Sequence, residues 1–156
     1  MTNEQLLQMV GFKLGDTSFA IPILDVQEII RVLDIITIPN APSFVQGVID
    51  LRGKVIPIIG LREKLSLTCI DSDKSRERII VINFSGMLIG FQVQDVYEVI
   101  RAENTSFEEA PSITLGVNKE YIQGLVRYHE KIFIVLNIKS VLSSMDLKLL
   151  AEGMNK

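Results

Sequence analysis

The chain carries its own pattern twice. "FAIPILDVQEIIRV" (19–32) aligns with "IGFQVQDVYEVIRA" (89–102), and Asp25/Asp95, Val26/Val96, Glu28/Glu98, Ile30/Ile100 and Arg31/Arg101 coincide. Further on, "FVQGVIDLRGKVIPIIGLREKL" (44–65) aligns with "YIQGLVRYHEKIFIVLNIKSVL" (121–142), with Gln46/Gln123, Gly47/Gly124, Lys54/Lys131 and Leu65/Leu142 shared and nearly every apolar position kept apolar. The extra length between the two blocks of the second half falls in "SFEEAPSITLGVNKE" (106–120). Two separate blocks, repeated in the same order, predict a duplicated small β-barrel. The first half spans about 10–70, the second about 78–142, and "DSDKSRE" (71–77) links them.

Local patterning supports strands. "MVGFKL", "SFAIPI", "VIDL", "KVIPII", "RIIVINF", "MLIGFQV", "IQGLVRY" and "KIFIVLNI" are short apolar or alternating runs bounded by turn-forming residues. The turns between them are tight: Gly15-Asp16-Thr17, Arg52-Gly53, Ser85-Gly86 and His129-Glu130. Many short strands joined this way indicate barrels or a sandwich. Short helices are predicted at 23–32, 60–65 and 93–102, and a C-terminal one at 138–154 with Leu142, Met145, Leu149 and Leu150 on one face. Pro57 interrupts a strand-like run. Having no N–H for the ladder, it predicts an edge strand or a bulge there.

The inventory excludes several classes. A net charge of −3 from 16 basic and 19 acidic residues gives no pull toward nucleic acid. The apolar runs are far shorter than the ~20 residues of a membrane span, and "MTNEQLLQMV" lacks the basic start of a secretory signal. With the single Cys69, no intrachain disulfide forms, which fits a reducing cytoplasm. One histidine, His129, and one cysteine cannot build a metal shell. Cys69 with His129 as nucleophile and base has no local signature, and Cys69 beside Leu67 and Ile70 reads as a small buried apolar residue. Gly47 to Lys54 has the wrong glycine spacing for a phosphate loop, and Val55 stands where that loop needs Ser or Thr. "DSDKSRE" has Arg76 in place of a calcium loop's glycine and reads as a solvated linker.

What remains is surface. Asp50-Leu51-Arg52-Gly53 closes a hairpin between two apolar strands, with Gly53 supplying the positive φ. Arg52 at such a tip is either a solubilising residue or a contact. Val26, Ile29 and Ile30 give the first short helix more apolar side chains than a core requires.

Taken together, "VQEIIRV", "IPNAPSFVQGVIDLRGKVIPIIGLREKL" and "YIQGLVRY…IFIVLNIKSVL" resemble the bacterial chemotaxis coupling proteins of the CheW family, from about Val10 to Leu150. The resemblance implies two SH3-like five-stranded barrels related by a pseudo-twofold. It implies a non-catalytic, cytoplasmic adaptor recruited to membrane-associated receptor arrays, with no cofactor. Its partners would be the cytoplasmic hairpin tip of methyl-accepting chemotaxis receptors and the regulatory domain of the histidine kinase CheA.

Carried over by motif, Arg52 would lie at a receptor-binding groove between the barrels, with Val26, Ile29 and Asp50 beside it. Apolar loop residues Phe44, Leu67 and Leu115 are the candidates for kinase contact. Asp50 and Gly60 depart from the family's Asn and Asp, and Asp50 is expected to pair with Arg52 across the turn. A CheV-like reading requires a receiver domain, for which these residues leave no room. A small hydrolase using Cys69 is the alternative from a different class.

Overall fold

A computed structural model of the chain describes residues 6–41, 44–65, 74–103, 107–108 and 119–143. The first part runs β1 (Leu6–Leu14), β2 (Thr17–Pro22), β3 (Val26–Arg31), β4 (Val45–Leu51), β5 (Lys54–Ile59) and α1 (Leu61–Lys64). The second repeats it as β6 (Arg78–Phe84), β7 (Met87–Val93), β8 (Asp95–Glu103), the short β9 (Phe107–Glu108), β10 (Ile122–Tyr128), β11 (Lys131–Leu136) and α2 (Ile138–Ser143).

Strand pairing does not follow the linear halves. One sheet has the order β8-β1-β2-β11-β10-β9 and the other β3-β6-β7-β5-β4. Exchanging β1 with β6, β2 with β7, β3 with β8, β4 with β10 and β5 with β11 converts one order into the other, as the duplication predicts. Each half, however, lends its first hairpin to the other half's sheet. The division into a first barrel at 10–70 and a second at 78–142 is therefore corrected. β1 pairs with β8, and β3 pairs with β6. Each sheet's path also returns toward its far edge. Ile36, just past β3, bridges Val48 on β4, and β9, just past β8, pairs with β10.

This layout explains why the strands read as continuous apolar runs. Ile79 and Val81 of β6 face a core within the five-stranded sheet, with Ile49, Ile56 and Ile58. Ile80 and Ile82, alternating with them, face the larger core between the sheets, with Phe12, Phe19, Phe91 and Leu136. A third core inside the other sheet gathers Met9, Ala20, Ile100, Val126, Phe133 and Val135. Strands buried on both faces lose polar alternation.

The predicted helices at 23–32 and 93–102 are strands, preceded in the first case by one 3-10 turn, Ile23–Asp25. A bulge is the reason they resemble helices in sequence. In β3 the register slips between Val26 and Glu28, and in β8 an extra residue lies between Val96 and Val99. The slip sends Val26 and Val96 toward the core between the sheets, while Ile30 and Ile100 enter the core of their own sheet. Period-two alternation is broken, and the apolar spacing mimics a helical one. The helix predicted at 60–65 forms at Leu61–Lys64. The C-terminal one begins at Ile138, burying Ile138, Val141 and Leu142, and its continuation past 143 lies outside the described residues, as does 66–73 of the loop and linker region.

Pro57 lies on an inner strand, not an edge, and without a bulge of its own. It stands opposite Val48, whose N–H and C=O both bond Ile36 on the other side. Val48 and Pro57 are thus a non-hydrogen-bonded pair, and the proline nitrogen points toward β7. There the parallel pairing involves only Ile58 and Ile59, so no ladder bond is lost.

The repeated Gln-Gly pair marks a second kind of bulge. Register slips between Val45 and Gly47 in β4 and between Ile122 and Gly124 in β10. Gln46 and Gln123 are the extra residues, and both are exposed. At Gly47 the backbone has φ 155°, and a Cβ would meet the Ile36 carbonyl oxygen at 2.4 Å and Ile35 Cγ2 at 2.6 Å. The return of the chain onto β4 therefore needs glycine. Gly47→Ala is expected to cost roughly 2–4 kcal/mol, because a backbone oxygen cannot move aside as a flexible side chain does. A thermal melt checks this, and an unchanged midpoint would show that the 35–36 segment can shift freely.

Candidate functional site

The β4–β5 hairpin ends in a two-residue turn whose central residues are both left-handed, Arg52 at φ 52° and Gly53 at φ 85°. That is the twist a two-residue hairpin requires. Glycine adopts it freely, while for arginine it costs about 1 kcal/mol. Asp50 compensates: its Oδ1 accepts the Gly53 N–H at 2.9 Å. The expected Asp50–Arg52 pair does not form. The Arg52 guanidinium instead donates to Glu28 Oε2 at 2.5 Å, with the Arg52 side chain 69% and the Glu28 side chain 31% exposed. Both groups remain partly hydrated, so the pair contributes at most about 1 kcal/mol.

The pair has an architectural consequence. Glu28 is on β3 and Arg52 joins β4 to β5, so the contact links the two ends of the five-stranded sheet's order. It lies beyond the Ile36–Val48 bridge, on the side where the chain closes the sheet.

The same strands also expose apolar side chains. Ile29, next to Glu28 on β3, is 38% exposed, and Val55, opposite Asp50 across the hairpin, is 56% exposed. Val32, Leu33 and Ile36 continue the exposed apolar run beyond β3. Val26, expected to be partly buried at the receptor surface and not in the core, is half-buried and packs on the core between the sheets. Arg52, Asp50, Ile29 and Val26 thus belong to one sheet; Arg52 is at the exposed tip, while Val26 and Ile29, opposite Ile82 and Ile80, share the face of β3 turned toward the other sheet, Val26 half-buried there and Ile29 more exposed. Glu28 was missed in the sequence reading. Its identity with Glu98 in the repeat was the available signal.

The other sequence candidates are placed differently. Phe44 is half-buried against the core between the sheets, and its carbonyl accepts the Gly60 N–H at 2.8 Å. Leu67, Leu115 and Cys69 lie outside the described residues. His129 occupies the β10–β11 turn at φ 50°, exposed, with its ring edge-on to Tyr128 at 4.2 Å. Among the described residues no group of three His, Cys, Asp or Glu is placed to hold a metal ion, and no helix is long and apolar enough to cross a membrane.

Fold and site define a double-sheet β module whose distinctive polar group is an outward arginine at a hairpin tip, bound to a glutamate of the strand at the sheet's other end. Residues 8–146 match the CheW-like domain, and the chain belongs to that family. It is 33% identical to the chemotaxis protein CheW of Treponema pallidum, over 96% of this chain and 90% of that protein. It is also 33% identical to CheW of Helicobacter pylori, over 90% of this chain and 84% of that protein. Among solved structures, the scaffolding protein TtCheW from Thermoanaerobacter tengcongensis superimposes with a TM-score of 0.78 at 29% identity, covering 86% of each chain.

Proposed function

We propose that this chain is a non-catalytic chemotaxis adaptor that works in the cytoplasm at receptor arrays. In this reading the surface around the Arg52 hairpin tip, together with the exposed Ile29 of β3, docks the helical-hairpin tip of a methyl-accepting receptor. A separate surface holds the regulatory domain of the CheA kinase, so that receptor state reaches the kinase through the adaptor. The observation that carries the reading is the exposed Arg52 guanidinium on a fixed turn, with the exposed apolar side chain of Val55 on the same hairpin. A helical hairpin with an apolar stripe and carboxylates needs apolar walls and a planar cationic donor from its partner. Membership of the CheW-like family supports the same role.

The test is assembly. Mixed with a soluble cytoplasmic fragment of a methyl-accepting receptor and with the CheA regulatory domain, the purified chain should co-elute with each alone and with both together. Binding to neither would overturn the proposal. For the kinase contact, Phe44→Glu, Leu67→Glu and Leu115→Glu, each assayed with receptor binding as control, should show at least one variant that loses the kinase domain and keeps the receptor fragment.

A further inference from the structure

We infer that Asp50 is a positioning residue for Arg52: its carboxylate holds the Arg52–Gly53 turn and thereby fixes the direction from which the guanidinium meets a partner. The inference rests on the receptor-facing role proposed above for Arg52. A bond from Gly53 N–H to Asp50 Oδ1 at 2.9 Å pins the peptide that follows Arg52. With that peptide fixed, the Arg52 backbone stays at φ 52° and its side chain leaves the tip toward Glu28, 24 residues away in sequence. Asp50 is exposed and spends this oxygen on the turn, while the guanidinium spends its bond on Glu28. The carboxylate therefore aims the arginine and does not compete for it.

The molecule contains two internal comparisons. In the β6–β7 hairpin, Asn83 Oδ1 accepts the Gly86 N–H at 2.9 Å, and Ser85 and Gly86 stand at φ 52° and 86°. The same oxygen-to-glycine lock thus occurs with a carboxamide, so the lock uses the acceptor oxygen and not the charge. The β10–β11 hairpin is the topological equivalent of β4–β5. It has His129 and Glu130 at φ 50° and 64°, and Arg127, bound to Glu108 at 3.4 Å, stands where the lock would be. A two-residue turn can form without the lock; of the two equivalent hairpins, the one whose tip carries Arg52 has it.

Loosening a long side chain's base disperses its charged end over several ångströms, and a dispersed donor must be re-ordered on binding. The test compares Asp50→Ala, Asp50→Asn, Asn83→Ala and Arg52→Ala, each titrated against a soluble cytoplasmic fragment of a methyl-accepting receptor, with melts and amide spectra recorded. Asp50→Ala should weaken binding about three- to tenfold, while Asp50→Asn stays within about twofold of the parent chain. Asn83→Ala should lower the melting temperature about as much as Asp50→Ala and leave affinity unchanged. The Gly53 amide resonance should move in Asp50→Ala and hold in Asp50→Asn. If Asp50→Ala binds as the parent does while Arg52→Ala is weakened, the positioning role is wrong and the receptor reading stands. If Asp50→Asn is as weak as Asp50→Ala, the charge is itself a contact and the positioning role is again wrong. If Arg52→Ala binds normally, the receptor reading fails, and the inference with it.

Discussion

Expressed separately, residues 1–70 and 71–156 should each fail to fold, and mixed together they should restore the melting transition of the intact chain. The reason is the exchange of hairpins. The first fragment would carry β3, β4 and β5 without β6 and β7, which stand between β3 and β5 in the five-stranded sheet. Its β1–β2 hairpin would lack both β8 and β11, its neighbours on either side. The core between the sheets draws on both fragments, with Phe12, Phe19 and Leu61 from one and Ile80, Phe91 and Leu136 from the other. Each fragment is also short enough that even a complete core would be marginal. Loss of the transition in each fragment, with recovery near one-to-one mixing, is the expected calorimetric result. A fragment that melts alone as high as the whole chain would contradict the interleaved pairing.

Arg52→Ala should weaken receptor-fragment binding about ten- to a hundredfold, corresponding to roughly 1.5–3 kcal/mol for a lost charge-assisted contact. Stability should change by only ~0.5 kcal/mol, since both members of the Arg52–Glu28 pair are partly in water. Glu28→Gln tests the other side: it frees the guanidinium without removing it, so receptor affinity should hold or rise where Arg52→Ala loses it. Ile29→Asp, at an exposed position on β3, should also weaken binding, because a new charge would be desolvated against an apolar helix stripe. Val26→Asp should be weaker still, but it is a poor probe on its own. Val26 packs on the core between the sheets, and a carboxylate there lowers the melting temperature as well. All these variants except Val26→Asp should keep the parent melt and still bind the CheA regulatory domain. An Arg52→Ala protein that is unfolded, or that loses the kinase domain while holding the receptor fragment, would show that the tip has been assigned to the wrong partner.

Much of this protein was legible because duplication leaves a mark in linear order. The repeat announced two equivalent strand sets, and the Gln-Gly pairs within it are the matched bulges at Gln46 and Gln123. The tight turns, the short helix at Leu61–Lys64 and the outward arginine at the hairpin tip also followed from local chemistry. Two readings failed for a common reason. The helices expected at 23–32 and 93–102 are bulged strands, because the ladder that fixes them comes from β6 and β1, far away in sequence.

The partner of Arg52 was the same kind of problem. Asp50 is two residues away and was the expected partner; Glu28 is 24 away and is the actual one. Local sequence determined what each segment could do: where the chain turns, where it carries charge, and which runs must be buried. Tertiary structure alone decided which hairpin enters which sheet and which carboxylate reaches Arg52. Those outcomes depend on hydrogen-bond ladders and packing between residues that no sequence window contains.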